Sequence, residues 1–179
     1  MPSGVDFDSA YYDRVQWSVP DTLKDVLSSA CAGLSVLDVG CGIGVVGEVV
    51  VRVAAKYTGV DISAHAVSVC TAKGLEAFRA DAMAVDMSGY DLVLALEVLE
   101  HLRNPAGAVE RMAAAPRSIV TVPRTDDPTK YDDPTHVSLL TAPAWLRLFA
   151  AANLFPDRWF EVDWGDRSVS VGWGLRRVA

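Results

Sequence analysis

The sequence LDVGCGIGVVG, residues 37–47, decides the fold, because an apolar run ends there in a series of glycines. We predict a buried strand over residues 34–39 and a helix over residues 44–55. Glycine has no Cβ, so a glycine loop turns sharply and lets a ligand approach the backbone. The stretch therefore predicts a strand, a ligand-binding loop and the start of a helix.

On both sides of this stretch, short β-branched runs alternate with helical patterns, which is typical of a parallel sheet wrapped by helices. Further strands are predicted at residues 57–60, 75–79, 90–96 and 118–122, and further helices at residues 20–32, 63–73, 104–115 and 143–152. Two alternating segments, residues 157–164 and 168–178, predict a closing antiparallel hairpin. The pattern is that of an α/β protein.

With 179 residues, the chain fits a single domain, which we divide into an N-terminal arm (residues 1–19) and a core (residues 20–179). A net charge of −7 makes nucleic acid a disfavoured partner. Membrane association is not expected, because no apolar run approaches the roughly 20 residues that cross a bilayer. The chain lacks the start of a signal peptide and a disulfide pattern, so we expect a cytoplasmic protein.

The glycines allow two interpretations. In the first, Gly42, Gly44 and Gly47 form the G-x-G-x-x-G pattern of a nicotinamide-binding loop. Asp61 follows Gly42 by 19 residues, where such proteins place an acid that binds the ribose. A nicotinamide cofactor is therefore one reading of this loop.

In the second interpretation, Asp38, Gly40, Gly42 and Gly44 form the pattern D-x-G-x-G-x-G. A pyrophosphate would be repelled by the Asp38 carboxylate, whereas a cationic ligand would be attracted to it. S-adenosylmethionine carries an ammonium and a sulfonium group but no phosphate, so a carboxylate near the turn favours it. Asp38 therefore favours S-adenosylmethionine as the cofactor.

From about residue 34 to the final hairpin, the chain resembles the class I methyltransferases. LDVGCGIG is similar to their first motif, GVDIS to their second-strand motif and DLVLALEVLEHL to their fourth-strand segment. The resemblance implies a Rossmann-like three-layer sandwich with a seven-stranded, mostly parallel sheet, order 3-2-1-4-5-7-6, in which strand 7 is antiparallel. The cofactor contacts it implies, beyond the glycine loop, are Asp61 on the ribose, Ile62, Asp81 and Ala82 around the adenine, and Leu96 in the fourth-strand segment.

Aromatic residues in the arm supply another candidate contact. Tyr11, Tyr12 and Trp17 lie within residues 1–19, and aromatic faces attract a sulfonium as they attract other cations. We predict that the arm folds over the cofactor with Tyr12 in contact, the alternative being ordinary packing.

Two carboxylates and two imidazoles follow the fourth and fifth strands. Glu97, Glu100 and His101 are spaced i, i+3 and i+4, so a helix beginning directly after the strand would place them on one face. His136 comes from a long loop, residues 123–138. These nitrogen and oxygen ligands suit a divalent metal such as Mg²⁺ or Mn²⁺.

The E-x-x-E-H segment is similar to that of small-RNA 2′-O-methyltransferases and of ubiquinone-pathway O-methyltransferases, in which it implies an ion that holds the acceptor oxygens. The alternatives are a metal-free site in which His101 or His136 is the base, and a purely structural role. The acidic pairs Asp126-Asp127 and Asp132-Asp133 are expected to be solvated loop residues.

We expect an enzyme that methylates an oxygen or nitrogen of a small-molecule acceptor. Two other functions remain open: a metal-dependent RNA ribose 2′-O-methyltransferase, and a non-catalytic subunit that binds S-adenosylmethionine and activates a partner. A homodimer or a partner subunit is compatible with the sequence.

Overall fold

The computed structural model describes residues 7, 9–13, 18–125, 133–165 and 169–178. The strands are β1 (Ser35–Val39), β2 (Lys56–Asp61), β3 (Ala77–Arg79), β4 (Leu92–Leu96), β5 (Arg117–Pro123), β6 (Leu154–Asp163) and β7 (Val169–Arg177). The helices are α1 (Ser9–Asp13), α2 (Asp21–Cys31), α3 (Gly47–Val50), α4 (Ala64–Ala72), α5 (Pro105–Met112) and α6 (Ala142–Ala151), with a 3₁₀ turn at Leu99–His101. None of the helices in these ranges has the length and apolar character needed to cross a bilayer.

The seven strands form one sheet in the order β3-β2-β1-β4-β5-β7-β6. β1 to β5 pair in parallel, whereas β7 runs antiparallel to both β5 and β6. The predicted order and the closing hairpin are confirmed. β1 lies between β2 and β4, so the glycine loop begins near the middle of the sheet.

Hydrophobic residues on both faces of the sheet make the fold a three-layer sandwich. Successive side chains of a strand point to opposite faces. Leu37 belongs to a cluster that includes Trp145 of α6, whereas its neighbour Val36 packs in a second cluster with Leu23 of α2. Burial on both faces explains why the central strands are almost continuously apolar.

Two helix starts follow the predicted capping. The Ser63 hydroxyl accepts a hydrogen bond from the amide of Ala66, and the Asn104 side chain accepts one from Gly107 ahead of α5. Such caps satisfy amide groups that have no partner within the helix. They fix where α4 and α5 begin, directly after the segments that carry the candidate site.

The helix predicted over residues 44–55 is the main difference, because regular α-helix is limited to Gly47–Val50. Gly44 has a φ of +82°, which no right-handed helix contains. Isolated helical bonds persist on either side, from Glu48 to Gly44 and from Ala54 to Val50. Helical hydrogen bonds therefore occur over most of the predicted range. The regular helix is short because Gly44 and the β-branched valines interrupt it.

Candidate active site

A cavity of about 350 Å³ opens where β1, β2 and β4 end. Val39, Val60 and Leu96, near the carboxyl ends of these strands, all line it. Open α/β sheets bind their ligands at this edge, because the strand order reverses direction there and leaves a crevice. This cavity therefore lies where sheets of this class bind their ligands.

The glycine loop forms one wall of the cavity. Gly40 and Gly42 line it and have φ values of +70° and +52°. A Cβ on Gly40 would lie 2.5 Å from a methyl carbon of Val98, so only glycine fits at that position. Gly44 is needed for packing within the protein, because a Cβ there would lie 2.6 Å from Leu75 and 2.9 Å from the sulfur of Cys70.

Asp61, at the end of β2, connects the loop to the next helix. Its two carboxylate oxygens accept hydrogen bonds from the amides of Gly42, at 2.9 Å, and Ser63, at 2.8 Å. Burial raises the pKa of Asp61, and these hydrogen bonds oppose the rise. Each carboxylate oxygen can accept further bonds, so Asp61 can also receive hydroxyl donors from a ligand in the cavity.

Four more of the predicted cofactor residues lie at the same cavity. These are Ile62, Asp81, Ala82 and Leu96, whereas Asp38 and Gly44 are not among the described lining residues. One Asp81 oxygen accepts a hydrogen bond from the amide of Met83 at 2.8 Å, which fixes the carboxylate at the entrance to the segment after β3. Residues from three strand ends therefore surround one space.

Asp38 does not line the described part of the cavity, unlike the other predicted acids. It is buried beneath the glycine loop and accepts a hydrogen bond from the Tyr57 hydroxyl at 2.9 Å. Burial raises the pKa of Asp38 to about 7, the hydrogen bond from Tyr57 opposes this rise, and the charge of Asp61 adds to it. Any attraction to a cation therefore acts through the loop, without direct contact.

The raised pKa of Asp38 predicts a pH effect on stability. The folded state holds the Asp38 proton up to about pH 7, whereas the unfolded chain releases it near pH 3.8. Stability contributed by this group should therefore fall as pH rises from 4 to 7, by up to about 4 kcal/mol. Urea unfolding of wild type and D38N at several pH values measures it: the variant should gain stability relative to wild type as pH rises. A pH-independent difference would contradict the assignment.

Glu100, His101 and His136 form the second part of the site. Within the ranges that the structure describes, these residues each place a ligand atom within 4.8 Å of the others. The rings of His101 and His136 lie 4.8 Å apart at 62°, and Nε2 of His101 is 3.9 Å from a Glu100 carboxylate oxygen. Three of the four predicted metal ligands are thus brought together.

Glu97 is not part of this described cluster. It has a φ of +55°, and the chain then enters a 3₁₀ turn instead of an α-helix. The single helical face expected for Glu97, Glu100 and His101 is therefore wrong. Glu97 instead lines the cavity beside Leu96.

Backbone hydrogen bonds bring the His136 loop to this turn. The amides of Val137 and Ser138 both donate to the Glu100 carbonyl at 2.9 Å, and the Ser138 hydroxyl donates to the carbonyl of Leu102 at 2.6 Å. These bonds link segments more than 30 residues apart in sequence. They explain how His136 reaches His101.

The loop acid nearest to this cluster is not simply solvated. Asp133 accepts hydrogen bonds from the amide and the hydroxyl of Thr135, at 2.8 and 2.6 Å. Partial burial would raise the pKa of Asp133, but these bonds hold it below its usual value. The Asp133 side chain is 36% exposed, so it is partly solvated, as expected, and is also ordered by these bonds. Asp126, Asp127 and Asp132 lie outside the described residues.

The described part of the arm contacts both halves of the site. The Phe7 carbonyl accepts a hydrogen bond from the Ser63 hydroxyl, and the Phe7 ring lies edge-on to His101 at 5.9 Å. Tyr12 lines the cavity, with a ring carbon 3.4 Å from the position of a Cβ on Gly42. Trp17 lies outside the described residues. Sequence reasoning missed Phe7, for which no spacing or motif gave a signal.

The family described as "Methyltransferase domain" has a sequence model that matches residues 15–155. The chain belongs to this methyltransferase family. The matched range contains the glycine loop, Asp61, Asp81 and the histidine cluster.

Curated relatives of this methyltransferase include a ubiquinone biosynthesis O-methyltransferase of Bordetella avium (strain 197N), which is 34% identical over 97 residues. The match covers 49% of the present chain and 40% of the relative. A second, from Albidiferax ferrireducens, is 36% identical over 92 residues and covers 46% of the chain and 36% of the relative. The chain thus aligns with less than half the length of these relatives.

Solved structures show the same fold. Magnesium protoporphyrin IX methyltransferase from Synechocystis PCC 6803, with bound SAH, superposes with a TM-score of 0.76 at 17% identity and covers 96% of each chain. A Burkholderia thailandensis 1,6-didemethyltoxoflavin-N1-methyltransferase gives a TM-score of 0.75 at 18% identity, with 96% of this chain and 85% of the other covered. The methyltransferase therefore has the predicted Rossmann-like architecture.

Proposed function

We propose that this methyltransferase transfers the methyl group of S-adenosylmethionine to an oxygen or nitrogen of a small-molecule acceptor. One observation carries the proposal: a single cavity joins the glycine loop, Asp61 and Asp81 to His101. A cofactor site and a group able to accept a proton thus face the same space. Methyl transfer needs the cofactor and the acceptor aligned in one space, together with a base where the acceptor must lose a proton.

The residues fit the cofactor. Asp61 would accept hydrogen bonds from the ribose hydroxyls, and Asp81, with Ile62 and Ala82 beside it, would receive the adenine. Gly40 and Gly42 would allow close approach of the amino-acid portion. When bound, S-adenosylmethionine would supply a methyl group attached to a positively charged sulfur. A lone pair of the acceptor would bond to the methyl carbon while the S–C bond breaks and the sulfur leaves as a neutral thioether.

We infer that the domain consists of an N-terminal arm (residues 1–19) and a core (residues 20–179), and that the described arm residues Phe7 and Tyr12, which line the cavity, cover the cofactor. Tyr12 supports this role, because its ring lies against the glycine loop and burial raises the pKa of its hydroxyl. The hydroxyl therefore stays protonated and can donate a hydrogen bond within the cavity.

Calorimetry with the full chain tests the cofactor. S-adenosylhomocysteine, the demethylated product, should bind with a stoichiometry of one, and NADH should not bind. Binding of NADH in place of S-adenosylhomocysteine would overturn the proposal and restore the nicotinamide interpretation of the loop.

A small acceptor suits the charge of the chain, because a net charge of −7 disfavours a phosphate backbone as the partner. The names of the relatives, a ubiquinone-pathway O-methyltransferase and an N1-methyltransferase, point to the same class. Transfer of labelled methyl should reach members of a panel of phenols, catechols and heterocyclic amines, and should not reach RNA oligonucleotides.

The same assay separates an enzyme from a donor-binding subunit. Turnover by the purified chain alone supports an enzyme, whereas turnover that appears only with an added cell extract would indicate a partner subunit. We also infer a cytoplasmic location, because all three cysteines are buried free thiols, as expected in a reducing compartment.

We further propose that Glu100, His101 and His136 hold a divalent metal ion. Two imidazoles and a carboxylate within 4.8 Å of one another form a donor set that suits Mn²⁺ or a related ion. When bound, such an ion would lower the pKa of an acceptor hydroxyl. His101 as a metal-free base is the alternative that the same geometry allows.

Mn²⁺ titration followed by electron paramagnetic resonance tests the metal site. Wild type should bind one Mn²⁺, and H136A should lose affinity by at least about 10-fold because an imidazole ligand is removed. The control H65A leaves the cluster intact and should bind as wild type does. Equal affinity of H136A and wild type would favour the metal-free base.

A further inference from the structure

Thr135 lies between His101 and Asp133. Its hydroxyl oxygen is 2.8 Å from Nδ1 of His101 and 2.6 Å from a carboxylate oxygen of Asp133. The carbonyl oxygen of Thr135 also lies 3.2 Å from the same Nδ1. Thr135 itself is buried, and the Asp133 carboxylate that it bonds is partly exposed.

The proton positions follow from the chemistry of the partners. A hydroxyl carries one hydrogen, and a carboxylate can only accept, so Thr135 donates its hydrogen to Asp133. The Thr135 oxygen is then an acceptor toward His101, as is the Thr135 carbonyl. Nδ1 of His101 faces two acceptors and must therefore carry the hydrogen of the neutral ring.

We propose that Asp133 and Thr135 are positioning residues that hold His101 in the tautomer with hydrogen on Nδ1 and a lone pair on Nε2. This inference rests on the proposed function, in which His101 acts as a metal ligand or a base. Both roles use the lone pair of Nε2, the nitrogen that lies 3.9 Å from Glu100. The partner of one ring nitrogen decides what the other can do.

The same carboxylate also reaches the second imidazole. One Asp133 oxygen accepts from Thr135, and the other lies 3.8 Å from Nε2 of His136. Asp133 therefore acts on His101 through the Thr135 hydroxyl. Its other oxygen is a neighbour of His136, at a distance too long for a hydrogen bond.

Nuclear magnetic resonance of the full chain, labelled with ¹⁵N-histidine, reads the tautomer directly at alkaline pH. The chain has three histidines, so H65A, H101N and H136N assign the signals. In wild type, His101 should show hydrogen on Nδ1. In D133A, the freed Thr135 hydroxyl can donate to Nδ1, so His101 should shift toward hydrogen on Nε2.

A matched series of Thr135 variants separates the effect of the Thr135 hydroxyl from the effect of general packing. T135V removes the hydroxyl and leaves the weaker carbonyl acceptor, so it should give a mixture of tautomers, whereas T135S should retain the wild-type signal. T71V is the control, because Thr71 donates to the carbonyl of Val67 on the exposed side of α4. Mn²⁺ affinity should fall about 10- to 100-fold in D133A. It should fall by a smaller factor in T135V, which keeps part of the competent tautomer, and should not fall in T135S or T71V.

Two results would overturn the inference: hydrogen on Nε2 in wild type, or an unchanged His101 signal in both D133A and T135V. Unchanged affinity for S-adenosylhomocysteine shows that each variant is folded, and the T135S and T135V pair decides the matter if D133A is unstable. A wild type that fails to bind S-adenosylhomocysteine would contradict the proposed function, while the tautomer would still be measured.

Discussion

Replacing Asp61 with alanine is expected to weaken the binding of S-adenosylhomocysteine by about 100-fold or more. Hydrogen bonds to a charged group each contribute about 1.5 to 3 kcal/mol, and the ribose would lose two of them. A loss of about 1.4 kcal/mol is tenfold in affinity. The glycine loop would also lose the acceptor for the Gly42 amide, so the wall of the cavity would be less well ordered. Calorimetry measures the change.

The matched control for D61A is D91A. Asp91 precedes β4 at the opposite edge of the sheet, and its carboxylate also accepts from a backbone amide, that of Ser35, in addition to the Ser35 hydroxyl. D91A therefore removes a similar capping acid far from the cavity, and its affinity for S-adenosylhomocysteine should stay within about twofold of wild type. An affinity loss as large in D91A as in D61A would show that general destabilisation, not ribose binding, explains the effect.

The second large effect is expected for H101A, which should reduce kcat by about 100- to 10,000-fold. Under the proposed function the variant loses either the base or a metal ligand, and both would act on the acceptor and not on the cofactor. Affinity for S-adenosylhomocysteine should therefore change by less than about threefold. Steady-state kinetics, with the acceptor identified from the panel, measures kcat. Calorimetry measures the affinity for S-adenosylhomocysteine.

H65A provides the control for H101A. His65 contacts the arm through Tyr12, at a ring distance of 6.1 Å, much as His101 contacts it through Phe7. Loss of an imidazole beside the arm is thus common to both variants, while only H101A changes the cluster. If H101A retained most of the wild-type kcat, His101 would have a structural role.

Much of the fold could be predicted because its signals are local. The apolar run of β4 and the caps Ser63 and Asn104 depend on neighbouring residues, and the structure has them where expected. The extent of α3 could not be predicted so well. It depends on the positive φ of Gly44, which a helical pattern of apolar residues does not reveal.

The cofactor side of the site was predictable for the same reason. Each acid follows a strand, and parallel strands end at one edge of the sheet, so sequence position alone places Asp61 and Asp81 together. Glu97 was misplaced because its positive φ depends on its surroundings. The Thr135 and Asp133 contacts with His101 join segments far apart in sequence, although Asp-Pro-Thr at residues 133–135 is a turn signal that could have suggested an ordered acid.

Because of its position, Phe7 should affect the entry and exit of both the cofactor and the acceptor. Its carbonyl accepts a hydrogen bond from Ser63, two residues after the proposed ribose ligand Asp61, while its ring contacts His101 on the proposed acceptor side. If Phe7 moves to admit the cofactor, the proposed acceptor site is therefore uncovered as well, and the reverse also holds. We expect spent donor and methylated product to leave through a common exit that opens once per catalytic cycle.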